Sequence, residues 1–318
     1  MTRILREADV ERVIDMDAVI GAVAAAMREL GEGTAQNEPR RRAFATGGLL
    51  NVMFATYPGG GCMGLKAYTV AAGKVRFLVT VFGLDGILRA LIEADLMGAY
   101  RTGAASAVAA QALLPATASP VKVAIIGTGH QARTQALALS RVLSIGEMRV
   151  FSRDPAHRET FAAERSSALG VPVVAASSAE AAVRDADVVV TSTTSSEPVL
   201  SADWVKAPSL VIGAGSNFPN RTELPADLVT RAQTVVVDQL AVARLESGDL
   251  IPVVGSGALA WERVTELATV MAGGWKTPAE PGVTLFESHG LALWDMAAAS
   301  VVVPKAIEQG LGEEIALF

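Results

Sequence analysis

Positions 127–132 of the chain have the glycine-containing pattern G-x-G-x-x-A. Gly127 permits a tight turn, Gly129 lets the backbone approach a pyrophosphate group, and Ala132 allows a helix to pack closely on a strand. A helix that begins there directs free N–H groups and the positive end of its dipole at one point, which suits an anion. The pattern therefore predicts a dinucleotide site; the alternative is an ordinary glycine-containing turn.

The chain on either side of this turn supplies the context that the motif requires. Residues 121–126 form a short, nearly continuous apolar run, which is typical of a parallel strand covered on both faces. From residue 121 to about 240, such runs alternate with helical segments, so a parallel sheet with right-handed crossovers is expected. The predicted fold class is α/β, with a Rossmann-type parallel-sheet domain.

The end of the second predicted strand bears on the choice of nucleotide. NAD-specific domains place an acidic residue there, which binds the ribose 2′-hydroxyl. Here the strand ends in Ser152 and Arg153, which suit a 2′-phosphate. Asp154 follows one or two residues after the position of that acidic residue, and it could still reach a ribose hydroxyl. The cofactor is therefore predicted to be NAD(P)H, with NADP(H) modestly favoured over NAD(H). The alternative for Arg153 is a solvated surface arginine.

The first 95 residues have a different, α+β pattern. A helix is predicted over residues 16–30, ended by Gly31, and antiparallel strands follow up to about residue 94, with a hairpin turn at residues 84–86. A helix rich in small side chains follows at 96–114, and a long apolar helix near the C-terminus is expected to return to this domain. Proline residues at 115 and 120 indicate a boundary. The predicted domains are 1–115 with about 292–318, and 116–291.

Composition limits the kind of partner. The 318 residues are 51% hydrophobic and 19% charged with a net charge of −6, which argues against nucleic acid and favours a small molecule. No apolar run is long enough to cross a bilayer, and the one cysteine excludes an internal disulfide, so a cytoplasmic protein is expected. Cysteine and the three histidines are scattered without the spacing of metal ligands, so no metal site is predicted.

Several motifs together resemble the ornithine cyclodeaminase/μ-crystallin family almost from end to end. The motifs are Arg40, Gly64-Leu65-Lys66, the segment RTGAAS at 101–106, the turn at 127–132, the segment at 213–224, ESGDL at 246–250, and SHGLA at 288–292. The resemblance implies a dinucleotide-binding domain joined to an α+β domain that binds substrate and dimerises through its sheet. A homodimer is therefore expected.

The resemblance also assigns roles to basic side chains. Arg40, with its neighbour Arg41 as a further candidate, Lys66 and Arg101 match the family's carboxylate-binding cations. Arginine can clamp a carboxylate with two hydrogen bonds, and a partly desolvated Lys66 would have a lowered pKa useful for proton transfer. The alternatives are a solvated basic turn for at least one arginine of 40–42 and an exposed strand position for Lys66.

Other positions match residues that contact the cofactor in the family. Together with Gly127, Gly129 and Arg153, the candidates for cofactor binding are Thr102, His130, Gln131, Ser152, Thr193, Gly213, Gly215, Ser216, Arg221 and Ser288. His289 is a candidate for positioning substrate, with proton donation as a further role and simple packing as the alternative. Asp295 is expected to be a structural cap or ion-pair partner.

Two departures from the family shape the predicted reaction. Asn217 and Asn51 stand where the cyclodeaminases have an aspartate and a glutamate. An amide can form hydrogen bonds but cannot shuttle a proton, so the chemistry of ammonia elimination is disfavoured. The main hypothesis is an NAD(P)H-dependent imine reductase or amino acid dehydrogenase. Its predicted catalytic residues are Lys66, Arg101 and Asn217, of which Asn217 positions the substrate.

Three kinds of substrate remain open under this hypothesis. They are a cyclic ketimine such as pyrroline-2-carboxylate, pyruvate with ammonia or an amine, and an imino dicarboxylate such as iminosuccinate, for which an extra cation among residues 40–42 would be used. Two alternative functions also remain: an NAD-dependent ornithine cyclodeaminase, and a non-catalytic binding protein of the μ-crystallin kind.

Overall fold

A computed structural model describes residues 1–114, 120–276, 278, 280 and 282–317. The chain divides into two compact units: unit 1 comprises Met1–Ala105 and the C-terminal residues from Leu291, and unit 2 comprises Ser106–Gly290. The sequence-based boundary at 115/116 lies outside the described residues. The division falls earlier, within a helix, and the second division lies at 290/291 rather than 291/292.

Within the described residues, the strands are numbered in chain order. They are β1 (Thr2–Leu5), β2 (Gln36–Ala45), β3 (Gly48–Tyr57), β4 (Cys62–Ala71), β5 (Lys74–Gly83), β6 (Leu88–Glu93), β7 (Val121–Ile126), β8 (Ile145–Phe151), β9 (Val173–Ala175), β10 (Val188–Thr191), β11 (Ser209–Gly213), β12 (Thr234–Val237), β13 (Val264–Glu266), β14 (Val283–Glu287) and β15 (Glu313–Ile315).

The α-helices are numbered in the same way. They are α1 (Glu7–Val13), α2 (Met16–Glu32), α3 (Asp95–Leu113), α4 (His130–Val142), α5 (Pro155–Leu169), α6 (Ala179–Val183), α7 (Ala226–Arg231), α8 (Leu240–Glu246), α9 (Ile251–Gly255), α10 (Leu267–Met271) and α11 (Ala292–Glu308). Helix α11 bears out the expected long C-terminal helix and belongs to unit 1. No described helix is long and apolar enough to cross a membrane.

Unit 1 is built on a seven-stranded sheet of order β15-β1-β6-β5-β4-β3-β2. Four consecutive hairpins, β2 to β6, give it antiparallel pairing, while β1 pairs parallel with β6. Helix α11 packs on β3 and β4 and against α2. The buried side chains of odd-numbered β3 residues, such as Met53, face this helix layer, so one sheet face is covered and the other is open.

Helix α2 shows how local signals set an element's limits. The Asp15 side chain accepts a hydrogen bond from the backbone N–H of Ala18 at the N-terminus, as a capping aspartate does. The prediction that Gly31 ends the helix is wrong, because the chain stays helical to Glu32. Gly33 ends it with a φ of 80°, a left-handed conformation that glycine adopts without the steric cost of a Cβ.

Unit 2 contains an eight-stranded parallel sheet of order β13-β12-β14-β11-β10-β7-β8-β9. Its central strands are almost continuous runs of buried Val, Ile and Leu, which agrees with helices covering both faces. The predicted α/β class with a parallel sheet is confirmed. The strand order reverses between β7 and β10, because the chain adds β8 and β9 on one side of β7 and then places β10 on the other side. Such a switch point opens a crevice for ligands.

Candidate active site

A cleft of about 990 Å³ lies in unit 2, at the carboxyl ends of β7, β8, β10 and β11. The turn after β7 and the segment after β10, residues 192–199, form two of its sides. The cleft therefore occupies the switch point of the parallel sheet, and its size suits a large ligand.

The turn after β7 has the geometry that the glycine motif predicts. Gly127 has a φ of 117°, and a Cβ on it would collide with the carbonyl oxygen of Ser192. Gly129 is the N-terminal cap of α4, and a Cβ on it would meet no atom within 4 Å, so its backbone faces open space. This turn fits a dinucleotide, because a helix N-terminus and a bare backbone are both presented to a pyrophosphate.

Glu223 organises the walls of the cleft. Its Oε1 accepts hydrogen bonds from the backbone N–H of Thr193 at 2.7 Å and from the Thr193 hydroxyl at 2.6 Å, and its Oε2 accepts from the Gly215 N–H at 2.8 Å. The Glu223 backbone N–H in turn donates to Asp249 Oδ1. Burial raises the pKa of Glu223, and the carboxylate of Asp249 adds to that effect.

Sequence reasoning assigned no role to Glu223 or Asp249, although both lie in motifs that carry the family resemblance. The only available signal was a carboxylate within apolar surroundings, T-E-L and G-D-L. Such carboxylates seldom lie in a core unless they are paired or hydrogen-bonded.

Near the end of β8, polar side chains line the part of the cleft where a ribose is expected. The Ser152 hydroxyl donates to the backbone carbonyl of Asp154, and Arg153 is exposed at the cleft wall. Asp154 Oδ1 caps α5 by accepting hydrogen bonds from the N–H groups of Ala156 and His157. One oxygen of this carboxylate is therefore engaged in helix capping.

The cleft brings together part of the predicted cofactor set. Its lining includes Gly127, Gly129, Gln131, Ser152, Arg153, Thr193 and Gly215. It does not include Thr102, His130, Gly213, Ser216, Arg221 or Ser288. Thr102 lies in unit 1, where its hydroxyl donates to the Gly98 carbonyl, whereas Ser288 is held beside the sheet because its backbone N–H donates to the Gly213 carbonyl.

In unit 1, a β-bulge decides which arginines face the helix-covered side of the sheet. Glu38 pairs with Phe54 but Arg41 pairs with Val52, so β2 contains one extra residue at this point. As a result Arg42, not Arg41, lies opposite Asn51. Arg40 is 5% exposed and lies over the ring of Tyr68 at 5.9 Å, whereas Arg41 is exposed on the other face.

Lys66, Arg101 and Asp295 form a buried cluster in unit 1. Lys66 Nζ donates a hydrogen bond of 3.0 Å to Asp295 Oδ1, and Arg101 Nε lies 3.5 Å from the same oxygen. Asp295 lies in the first turn of α11, and Gly98 of α3 leaves room for the ammonium, since a Cβ there would be 2.9 Å from Lys66 Nζ. Asp295 Oδ2 accepts no hydrogen bond from the described residues.

Burial lowers the pKa of Lys66 to about 8. Asp295 opposes this effect through its charge and its hydrogen bond, while the charges of Arg101 and Arg40 lower the pKa further. These four groups comprise three cations and one anion. An ammonium group with a pKa near neutrality, set among excess positive charge, is suited to bind an anion and to transfer a proton.

The other two residues proposed from sequence to contact substrate lie in unit 2. Asn217 is half-buried in the loop after β11. His289 is buried beside Asp238, whose Oδ2 accepts hydrogen bonds from the backbone N–H groups of His289 and Gly290, and whose Oδ1 lies 3.3 Å from His289 Nδ1. This geometry fixes the imidazole. The described residues contain no group of three or more potential ligands that could hold a metal ion.

Three solved structures resemble the chain over almost its whole length. The Δ1-pyrroline-2-carboxylate reductase of Thermococcus litoralis, solved with NADH and L-proline, is 29% identical, with a TM-score of 0.92 and coverage of 99% of this chain and 100% of that one. An archaeal alanine dehydrogenase, solved as a dimer with bound NAD, is 31% identical, with a TM-score of 0.91 and coverage of 100% and 99%. The iminosuccinate reductase of Paracoccus denitrificans, solved with NAD⁺, is 25% identical, with a TM-score of 0.92 and coverage of 99% of both chains.

A family model extends this similarity to the sequence itself and matches residues 1–310. The matched range includes the glycine turn after β7, the buried cations of unit 1 and the first turn of α11. The chain belongs to the ornithine cyclodeaminase/mu-crystallin family.

Proposed function

We propose that this protein is an NAD(P)H-dependent reductase of small α-imino acids, and in reverse an amino acid dehydrogenase. The observation that carries the proposal is the buried cluster of Lys66, Arg101 and Asp295, with a Lys66 pKa of about 8, in a chain that also has a dinucleotide cleft. The solved relatives that bind NAD(H) and act on imino or amino acids support it.

The cations of unit 1 have separate tasks in this proposal. Arg40 and Arg101 bind the carboxylate of the imino acid, because a guanidinium offers a planar pair of donors. Lys66 donates a proton to the imine nitrogen, and Asp295 holds its ammonium group in place. A nicotinamide cofactor, which the cleft at Gly127, Gly129 and Thr193 would hold, would supply the hydride that the carbon of the C=N bond receives. Asn217 positions the substrate through hydrogen bonds, and His289, fixed by Asp238, contributes shape and polarity.

The absence of two carboxylates supports a reductase rather than a cyclodeaminase. Asn217 and Asn51 occupy the positions at which a cyclodeaminase is expected to have acids, and Asn51 is fully buried on the same sheet face as Lys66. Without these bases, elimination and recyclisation lack groups to accept protons, whereas hydride transfer requires only the ammonium of Lys66.

A spectrophotometric assay tests the reductase proposal. NADH and NADPH oxidation is followed at pH 7 with Δ1-pyrroline-2-carboxylate, with pyruvate and ammonia, and with oxaloacetate and ammonia. We expect oxidation with at least one of these substrates. No oxidation with any of them would exclude the reductase, and ammonia release from ornithine without net cofactor oxidation would identify a cyclodeaminase instead.

For the nucleotide, we infer that the cleft accepts both forms and modestly favours NADP(H). The exposed guanidinium of Arg153 and the hydroxyl of Ser152 suit a 2′-phosphate, whereas one oxygen of the Asp154 carboxylate caps α5. The three solved relatives hold NAD(H), so the ratio of kcat/KM for NADPH and NADH is the direct test. A ratio below one, unchanged in Arg153→Ala, would contradict the inference.

We further propose a homodimer formed through the open face of the unit 1 sheet. Leu50, Phe54 and Leu78 point to this face and are 42%, 49% and 42% exposed. Exposed large apolar side chains that share one sheet face are typical of an interaction surface, and the archaeal alanine dehydrogenase was solved as a dimer.

We also infer that the protein works in the cytoplasm. Burial raises the pKa of Cys62, the single cysteine, to about 11, so its thiol stays protonated. A chain with one buried thiol gains nothing from an oxidising compartment, and the proposed reaction draws on the nicotinamide nucleotide pool.

A further inference from the structure

A second polar group lies beside the cation cluster on the covered face of the unit 1 sheet. Arg42 of β2 pairs directly with Asn51 of β3, and Asn51 pairs with Tyr68 of β4. Side chains that are directly opposite in an antiparallel pair point to the same face and lie about 5 Å apart at Cβ. The register therefore places Arg42, Asn51 and Tyr68 in one row across the sheet.

This row runs next to Lys66. Lys66 precedes Tyr68 by two residues on β4, so its side chain lies on the same face, about 6–7 Å along the strand. Arg40, two residues before Arg42 on β2, is buried over the Tyr68 ring. A small substrate could therefore reach both this row and the Lys66 ammonium group that is proposed to protonate the imine.

Asn51 is a buried amide whose hydrogen-bonding groups are available to a ligand. Its side chain is 0% exposed, yet neither its amide nitrogen nor its amide oxygen forms a hydrogen bond with the described residues. Burying an amide without hydrogen bonds is costly, and native structures rarely tolerate it without a reason. A bound carboxylate would accept a hydrogen bond from the Asn51 amide nitrogen.

Arg42 supplies the charge that such a carboxylate requires. It is half-buried, and its Nε is shielded from solvent. A partly desolvated guanidinium binds a carboxylate more strongly than an exposed one, since water screens the pair less. A cation and an amide donor side by side match the two oxygens of one carboxylate.

We propose that Arg42 and Asn51 form a second carboxylate subsite, so that the preferred substrate is a small imino dicarboxylate. This rests on the reductase function proposed above. Arg40 and Arg101 bind the carboxylate on the imine carbon, while Arg42 and Asn51 bind the carboxylate at the far end of the skeleton. The reaction itself is unchanged: the C=N carbon gains a hydride, the nitrogen gains a proton from Lys66, and both carboxylates stay ionised.

The test compares two substrates that differ only in the second carboxylate. Oxaloacetate and pyruvate are each assayed with saturating ammonia and cofactor, and Δ1-pyrroline-2-carboxylate serves as an imine that needs no ammonia. We expect the wild-type kcat/KM for oxaloacetate to exceed that for pyruvate by at least about tenfold, the lower end of what one charged hydrogen bond supplies.

Two variants locate the subsite. Arg42→Gln is expected to lower the oxaloacetate-to-pyruvate ratio by about 10- to 100-fold, with turnover of pyruvate retained. Asn51→Asp is nearly isosteric and is expected to lower the same ratio, because its carboxylate repels that of the substrate. The neighbouring Arg41→Gln, on the opposite face, should leave the ratio at its wild-type value.

The outcomes separate this proposal from the reductase function. Turnover of Δ1-pyrroline-2-carboxylate or of pyruvate in preference to oxaloacetate would overturn the subsite and leave the reductase intact. A ratio that changes in neither Arg42→Gln nor Asn51→Asp would also overturn it. Failure to turn over any of the three substrates would overturn both. If Arg42→Gln does not fold, Asn51→Asp decides.

Discussion

Lys66 is the residue on which the proposed chemistry depends, and its surroundings predict a pH profile. As a proton donor it acts in its ammonium form, so kcat/KM should be constant below a pH of about 8, the value to which burial lowers its pKa, and fall about tenfold per pH unit above it. Asp295 raises that pKa through its charge and its hydrogen bond. Asp295→Asn should therefore move the alkaline limb of the profile to lower pH.

The quantity to measure is the pH at which kcat/KM begins to fall. The absolute value of kcat/KM is less informative, because Asp295→Asn also alters the surroundings of Arg101. Asp185→Asn is a matched control: Asp185 is exposed in unit 2, and its φ of 63° is one that asparagine adopts readily. It should leave the profile in place. A limb that stays fixed or moves to higher pH in Asp295→Asn would assign the titration to another group.

The sequence indicated candidate cations for the proposed site, but it did not indicate which face of the sheet each one occupies. Arg40, Lys66 and Arg101 match the family motifs, and the structure shows all three as buried. The choice between Arg41 and Arg42 depended on one extra residue in β2, since without that bulge Arg41 would lie opposite Asn51. Because residues 40–42 are all arginine, no alternation of apolar and polar side chains marks the bulge. The sequence alone therefore does not reveal it.

The βα turn after β7 predicts a contrast between its two glycines. Gly127→Ala forces a side chain into a φ of 117° and against the Ser192 carbonyl oxygen, so the free energy of unfolding should fall by about 2–4 kcal/mol. Gly129→Ala adds a Cβ that meets no protein atom within 4 Å at an ordinary φ of −78°, so stability should change by less than about 0.5 kcal/mol.

Cofactor affinity should respond differently from stability in these two variants. Gly129→Ala should weaken NADPH binding although the fold is intact, because the added methyl group occupies the space through which the pyrophosphate approaches. Thermal unfolding and titration of NADPH fluorescence measure the two properties separately. Wild-type affinity in Gly129→Ala would mean that the dinucleotide binds elsewhere.

Elements with an apolar run or a clear cap were predictable, including the short helix α6 and strand β9, whereas helices α7 to α10 were not. Strands β7, β8, β10, β11 and β12 stand out as buried runs. Helix α4 follows the glycine turn, and α5 begins after the capping Asp154. Helices α7 to α10 are only five to seven residues long, too short for a periodic pattern to show, and tertiary packing determines them. The carboxylates Glu223 and Asp249 were missed for a related reason, since their hydrogen bonds join segments that are distant in sequence.

The proposed dimer makes a prediction for the assembled molecule. Phe54→Lys places a charge on the open apolar face of the unit 1 sheet, and burying it without a partner should raise the dimer Kd by at least about 100-fold. Leu84→Lys is the matched control, since Leu84 is also an exposed apolar residue but lies in the turn between β5 and β6. Sedimentation equilibrium measures both. A dimer that survives Phe54→Lys would place the interface elsewhere.

The fold class of each unit could be predicted from the sequence, but some strand pairings of the unit 1 sheet could not. The change from antiparallel to β/α alternation near residue 120 indicated two domains, and the long apolar C-terminal helix suggested a return to the first. No sequence pattern indicated strand β15 or the parallel pairing of β1 with β6. Strands β15 and β1 are only three and four residues long, which is too short for an alternating pattern to show.

The most direct test of the central claim is to follow the transferred hydrogen. The enzyme is supplied with NADPH or NADH deuterated at the reactive C4 position, together with Δ1-pyrroline-2-carboxylate or with oxaloacetate or pyruvate and ammonia, and the amino acid product is analysed by mass spectrometry. Lys66→Met, with exposed Lys74→Met as its control, should lose about 100- to 10,000-fold in turnover while still binding cofactor. Hydride transfer to the C=N carbon predicts one deuterium at the α-carbon of the product. A product without deuterium, or ammonia released from ornithine with no net oxidation of the cofactor, would contradict the reductase function.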